Sequence, residues 1–144
     1  MTQDSFTHPN SEARERAVQF LYQSECERLF HFSDSHFSQF IENFKIAPKV
    51  AQISRGMVEG IYDELPRIDE TISGVSVNWS IDRMASTDRC VLRVATWELM
   101  HKGTPTKVVI NEAIELAKKY GTEHSGSFVN GLLDKIATLV AEPL

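Results

Sequence analysis

The sequence predicts an all-α protein of about seven helices joined by short connections. Apolar residues recur every three or four positions in one segment after another, the period of a helix with one buried face. No segment sustains the apolar–polar alternation of a strand; only Ser76 to Ile81 is strand-like, and it is short. The connections are brief and carry glycine, proline and capping residues, so successive helices are expected as antiparallel neighbours in small bundles.

The elements follow in order. Residues 1–10 are polar, contain Pro9 and read as a loose tail, which leaves one helical domain over 11–144. Asn10 and Ser11 offer N-caps to a first helix that carries Ala13, Ala17, Phe20 and Leu21 and reaches about Leu29. A polar joint at His31 to His36 precedes a short apolar helix around Phe37 to Phe44. Ala47-Pro48 opens a third helix with the stripe Val50, Ile53, Met57, Ile61 and Leu65. Pro66 interrupts it, and Ile68 to Ile72 adds a turn or two. A break at Gly74 to Ser80 and a one- or two-turn piece at Ile81 to Met84 come next. Ser86 or Thr87 caps a helix that runs to about Lys102, where Gly103-Thr104-Pro105 ends it. The following helix carries Val109, Ile110, Ala113, Ile114 and Ala117 and stops at Gly121. The last starts near Ser125, carries Phe128, Val129, Leu132, Leu133, Ile136, Leu139 and Val140, and closes at Pro143.

Composition narrows the function. The 144 residues are 42% hydrophobic and 24% charged, ordinary for a globular domain with a core of its own. A net charge of −5 argues against indiscriminate coating of nucleic acid, which needs many cations on phosphates. There is no run of 18 apolar residues to cross a membrane and no apolar leader core at the N-terminus, so a cytoplasmic protein is expected. Cys26 and Cys90 both lie in apolar helical stretches and read as reduced, buried thiols.

Signals of catalysis are weak. Glu98 and His101 form one Glu-x-x-His pair, whereas a di-iron bundle needs two such pairs and two further glutamates. Gly126 to Gly131 has the gap of a phosphate loop, but Leu132-Leu133 stand where Lys-Ser/Thr must follow. Glu112 and Glu115 suit a solvated helix face better than acid–base work. The sequence predicts no enzyme, no metal and no cofactor.

Signals of binding are stronger. Lys102 to Lys119 holds four lysines against two glutamates, flanked by His101 and His124. Lys118 and Lys119 complement the carbonyl end of their helix. With Tyr120, His124 and Phe128 they also supply what single-stranded RNA requires: ammonium groups for phosphates and rings for bases. On the first helix Arg14, Val18 and Tyr22 form a stripe at i, i+4, i+8. Glu12, Glu15, Glu25 and Glu27 offset its charge, so this face reads as solvated and mixed.

These residues resemble the NusB family of bacterial transcription antitermination factors. The run Pro105-Thr106-Lys107-Val108-Val109-Ile110-Asn111-Glu112-Ala113-Ile114-Glu115-Leu116-Ala117-Lys118-Lys119-Tyr120-Gly121 carries most of the likeness, together with Phe128-Val129-Asn130-Gly131-Leu132-Leu133-Asp134. Val91-Leu92-Arg93-Val94-Ala95, Glu98-Leu99 and Ala13-Arg14-Glu15 fit as well, and His31 to Ile46 is least alike. The resemblance implies an all-helical fold of two packed sub-bundles and a partner, NusE, which is also a protein of the small ribosomal subunit. It implies binding of the pair to boxA RNA, within an RNA polymerase antitermination complex that reads through terminators in ribosomal RNA operons. By family position, RNA would meet Arg14, Tyr22, Lys118, Tyr120, His124 and Phe128, with Lys119 beside them. Asp88 would lie on the NusE surface and accept an arginine. A homodimer is the other association implied.

One departure stands out. Asn10, Ser11 and Glu12 occupy places that many family members give to arginines. The alternative function is therefore a protein-interaction module with weak or no RNA binding of its own. A methyltransferase carrying such a domain is not expected, since no βαβ unit is present.

Overall fold

A computed structural model describes residues 8–141. Among them are seven α-helices, one 3₁₀ turn and no strand: α1 Pro9–Cys26, α2 Asp34–Asn43, α3 Pro48–Asp63, α4 Leu65–Val75, the 3₁₀ turn Ile81–Arg83, α5 Ser86–His101, α6 Thr106–Tyr120 and α7 Ser125–Ala141. The all-α class and the helix number match the expectation. The chain divides into two compact units, Met1–Asp63 and Glu64–Leu144.

In the first unit, α1 packs along α3 and α2 closes over α1 through rings. Phe20 meets Phe37 and Phe40 edge-on, at 5.1 and 5.2 Å between centroids. The N-cap of α1 is His8, whose ring accepts from the Asn10 N–H, and Pro9 supplies the first turn. Pro9 and Asn10 thus belong to the helix rather than to the expected tail, and Asn10 and Ser11 are not its caps. The remainder of that tail, residues 1–7, lies outside the described residues, as does the expected stop at Pro143.

α1 ends three residues before Leu29. Arg28 turns left-handed at φ 58°, and the Leu29 N–H donates back to the Ser24 carbonyl. α2 ends alike, with Lys45 at φ 51° and Ile46 N–H on the Ile41 carbonyl. Both are Schellman closures built without the usual glycine, so the sequence offers no stop signal there. The start of α2 is also earlier than expected: Ser33 caps it by accepting from the His36 N–H, which draws Asp34 to His36 into the helix.

In the second unit, α5 contacts α4, α6 and α7, and α6 lies along α7. The core is aliphatic: Ile68, Ile72, Leu92, Val129, Leu133 and Ile136 are all fully buried. Each such side chain stabilises the fold by roughly 1.5–3 kcal/mol through loss of water contact. Pro66 sits in the first turn of α4, where its missing N–H costs nothing, and α4 runs three turns rather than one or two. Arg93 grips Asp69 with two parallel hydrogen bonds of 2.9 Å, tying α5 to α4.

α5 has Ala85 at its N-cap and no side-chain cap, contrary to the expected Ser86 or Thr87. At its other end Lys102, not Gly103, takes the left-handed turn, at φ 56°. Cys90 is buried as expected, but Cys26, in the last turn of α1, is exposed. No helix among the described residues is long and apolar enough to cross a membrane.

Candidate nucleic-acid interface

The expected binding residues fall in both units. In the first, Arg14 is only 5% exposed and Val18 2%, while Tyr22 at the end of the same stripe is 42% exposed. The stripe is therefore not the solvated face that its neighbouring glutamates suggest. A guanidinium so enclosed is a fixed group rather than a freely swinging cation, and Tyr22 is the ring that α1 displays.

In the second unit, five expected residues sit at the corner where α6 turns into α7. Gly121 ends α6 with an ordinary negative φ of −100°. It is required by crowding rather than by backbone hand. A Cβ there would overlap the Ser125 Oγ and lie 2.6 Å from Ser125 Cβ and 2.8 Å from the Ala117 carbonyl oxygen. The turn itself is a reciprocal cap. The Thr122 N–H donates to Ser125 Oγ at 2.9 Å, and Thr122 Oγ1 accepts from the His124 N–H at 3.3 Å. Ser125 is buried, so the corner is rigid at its root.

From this corner the side chains point outward. The Lys118 stem runs over Gly126 of α7, where a Cβ would come within 3.3 Å of it. Its ammonium lies 3.6 Å from Glu115 and remains well exposed, so the pair is loose and screened. The Lys119 ammonium sits 5.6 Å from the centre of the Tyr120 ring. His124 is exposed and Phe128 half-buried. Cations and rings are thus interleaved over one turn, the arrangement that stacks bases while holding phosphates.

His124 and Phe128 also border a cavity of about 250 Å³ with Trp79, Met84, Asp88 and Thr122. RNA candidates and the partner candidate Asp88 therefore share one hollow, which the sequence did not suggest. Asp88 is 8% exposed, and its Oδ1 is buried without a hydrogen-bond partner. The segment around the 3₁₀ turn also lines it, through Trp79, Arg83 and Met84. Arg89 holds it by donating to the carbonyls of Ile81 and Met84, both at 2.9 Å, and Ser76 Oγ donates to the Trp79 carbonyl. Trp79, Met84 and Arg89 were missed because they lie in or beside an irregular stretch with no periodicity to read. A tryptophan inside the Gly74 to Ser80 break was the available signal. A larger hollow of about 560 Å³ near Leu99, Pro105 and Ala137 has no aromatic wall and only Lys102 as an ionisable group.

His101 does not pair with Glu98. Its Nε2 lies 2.6 Å from Glu64 at the head of α4, and its ring packs on Trp97 at 4.6 Å. The hydrogen bond from His101 holds the Glu64 carboxyl below its usual range, against the opposing effect of burial, with the imidazole charge and Arg67 adding to it. Among the described residues no three His, Cys, Asp or Glu side chains gather as a metal site.

The model of the NusB family matches residues 11–138. A transcription antitermination protein NusB of Anaeromyxobacter dehalogenans strain 2CP-1 is 47% identical over 133 residues, covering 92% of each chain. One of Myxococcus xanthus is 42% identical, covering 90% of this chain and 95% of that relative. Among solved structures, NusB of T. maritima superposes with a TM-score of 0.80 at 39% identity, over 92% of this chain and 93% of that one. A structure of antitermination factors NusB and NusE in complex with double-stranded RNA matches at 0.81 and 26% identity, over 91% and 97%.

Proposed function

The chain belongs to the NusB family, and from that premise we propose that it is a transcription antitermination factor that binds boxA-type RNA together with NusE. It works by binding and not by catalysis, in the cytoplasm, as part of an RNA polymerase antitermination complex that reads through terminators in ribosomal RNA operons. One observation carries this reading: the α6–α7 corner interleaves Lys118, Lys119, Tyr120, His124 and Phe128 on a rigid root. The solved complex of a similar NusB with NusE and RNA supports it. Tyr22 and Arg14 supply the contribution of α1. Asp88 is the partner-surface residue in this reading, and an arginine from NusE would have to enter the cavity to reach it.

The number of cations sets the strength. Asn10, Ser11 and Glu12 stand where many family members carry arginines, so three or four phosphate contacts remain. NusE supplies the missing charge. Titrating labelled boxA RNA tests this: binding is expected to tighten at least tenfold when NusE is present. Equally tight binding by the lone protein would refute the shared-charge claim, and no binding in either arm would refute the function.

The enclosure of Arg14 favours a second reading, an interaction module that binds NusE with little RNA affinity of its own. A homodimer has less to rest on, because Tyr22 is the one large apolar side chain that α1 exposes.

A further inference from the structure

We propose that Gly126 is a positioning residue for RNA binding: the bare start of α7 is the track on which the Lys118 stem lies, and that track fixes where the Lys118 ammonium meets a phosphate. The inference deepens the RNA-binding reading and rests on it.

A glycine inside a helix is less favourable than alanine, so Gly126 calls for a reason. Backbone hand is not the reason, because no glycine among the described residues has a positive φ. Space is. On the same helix Gly131 is exposed, and a Cβ added there would meet nothing within 4 Å. Gly126 is buried, and a Cβ there would stand 3.3 Å from Lys118 Cγ and 3.4 Å from Lys118 Cε. Ile114 Cγ2 follows at an ordinary 3.7 Å. The two tight approaches are to two points along one lysine, so the stem lies flat over the glycine. A side chain longer than a methyl would lift it off α7.

The sequence puts the lysine there. Ile110, Ile114 and Lys118 recur at i, i+4 and i+8 on α6, and both Ile114 and Lys118 reach Gly126. A lysine at the end of such a row lays its methylenes on the neighbouring helix and keeps its charged head in water. The head is exposed here, 3.6 Å from Glu115 across a screened surface pair. A lysine gives up rotamer freedom when it grips a phosphate. One whose stem is laid down on folding has given up part of that freedom beforehand, which favours binding.

The test is a double-mutant cycle between Gly126→Met and Lys118→Ala. It is read by anisotropy with labelled boxA RNA at low salt, without NusE and with NusE saturating. Methionine is uncharged, unbranched and flexible, so it fills the track without adding a cation. Lys118→Ala is expected to weaken RNA binding about threefold or more, through one lost phosphate contact. In the Gly126→Met background it is expected to change affinity by less than about 1.5-fold. Gly126→Met alone should lower the slope of log K against log salt by about 0.7, as Lys118→Ala does. A glycine that only supports the fold would give additive losses and an unchanged slope. NusE affinity, measured by calorimetry, is expected to stay as in wild type. If methionine lowers stability, Gly126→Ala takes its place, with a coupling of about twofold. Nuclear Overhauser contacts from the Gly126 α-protons to the Lys118 γ- and ε-methylenes are expected in the free wild type; their absence removes the track. Wild-type RNA affinity in Gly126→Met, additive losses, or lost NusE binding in that variant overturns the positioning role and leaves the RNA-binding reading standing. So does RNA affinity that Lys118→Ala leaves unchanged. No RNA binding by wild type in either arm overturns both.

Discussion

Replacing Gly121 by alanine should disable the corner that carries the proposed RNA-binding side chains. The added methyl would overlap Ser125 Oγ and sit 2.6 Å from Ser125 Cβ and 2.8 Å from the Ala117 carbonyl oxygen. Neither neighbour can yield cheaply. The Ala117 carbonyl is held by the Gly121 N–H at 2.8 Å, and Ser125 is buried while accepting from Thr122. Overpacking of this kind costs about 1–3 kcal/mol, and loss of the Thr122–Ser125 bond adds about 1 kcal/mol. The sum, about 2–4 kcal/mol, corresponds to a fall in Tm of roughly 6–12 °C for a domain of this size. Gly126→Ala is the control. Its methyl meets the flexible Lys118 stem at 3.3 and 3.4 Å and Ile114 Cγ2 at an ordinary 3.7 Å, and alanine is favoured over glycine in a helix. Its stability should stay within about 1 kcal/mol of wild type. Urea unfolding followed by far-ultraviolet circular dichroism measures both. A Gly121→Ala protein within about 0.5 kcal/mol of wild type, or a Gly126→Ala protein equally damaged, would refute the close-approach argument.

The Glu64–His101 contact gives a pH signature. Because the Glu64 carboxyl is held below its unfolded value of about 4.3, its stabilisation is present above that pH and is lost as pH falls through the lower folded value. Urea midpoints of wild type and Glu64→Gln should differ at pH 6 and converge toward pH 3; a constant gap would contradict the assignment. For RNA, three or four phosphate contacts give a slope of log K against log salt of roughly −2 to −3, and Lys118→Ala should reduce it by about 0.7. An unchanged slope would remove Lys118 from the phosphate contacts. A thiol reagent should modify exposed Cys26 promptly and reach Cys90 only on unfolding, as mass spectrometry after timed labelling would show.

Helix periodicity and glycine or proline punctuation were enough to place every helix, because burial of one face is what makes each helix stable here. The boundaries slipped where closure relied on backbone geometry without its customary residue. Arg28, Lys45 and Lys102 all take left-handed turns that a glycine would have announced. Gly121 shows the converse, since its φ is ordinary and the approach of Ser125 and of the Ala117 carbonyl explains it. Charge counting read α1 as solvated, yet Arg14 is enclosed, because sequence spacing says which residues share a face and not what covers that face. The α6–α7 corner was visible because its residues are nearly contiguous. The cavity was not, because it joins Trp79, Asp88 and Phe128 from three separate elements. The family resemblance placed Asp88 at a surface, and only the structure shows the carboxyl recessed with an empty acceptor.

As proposed, this chain engages RNA through the α6–α7 corner independently of its hold on NusE. The direct measurement is a paired titration of the Lys118→Ala, Tyr120→Ala double variant, with boxA RNA by anisotropy and with NusE by calorimetry. The expected result is RNA affinity reduced at least tenfold, from one lost phosphate contact and one lost stack, with NusE affinity unchanged. Wild-type RNA affinity in the double variant, or loss of both partners together in a protein that still melts cooperatively, would contradict it.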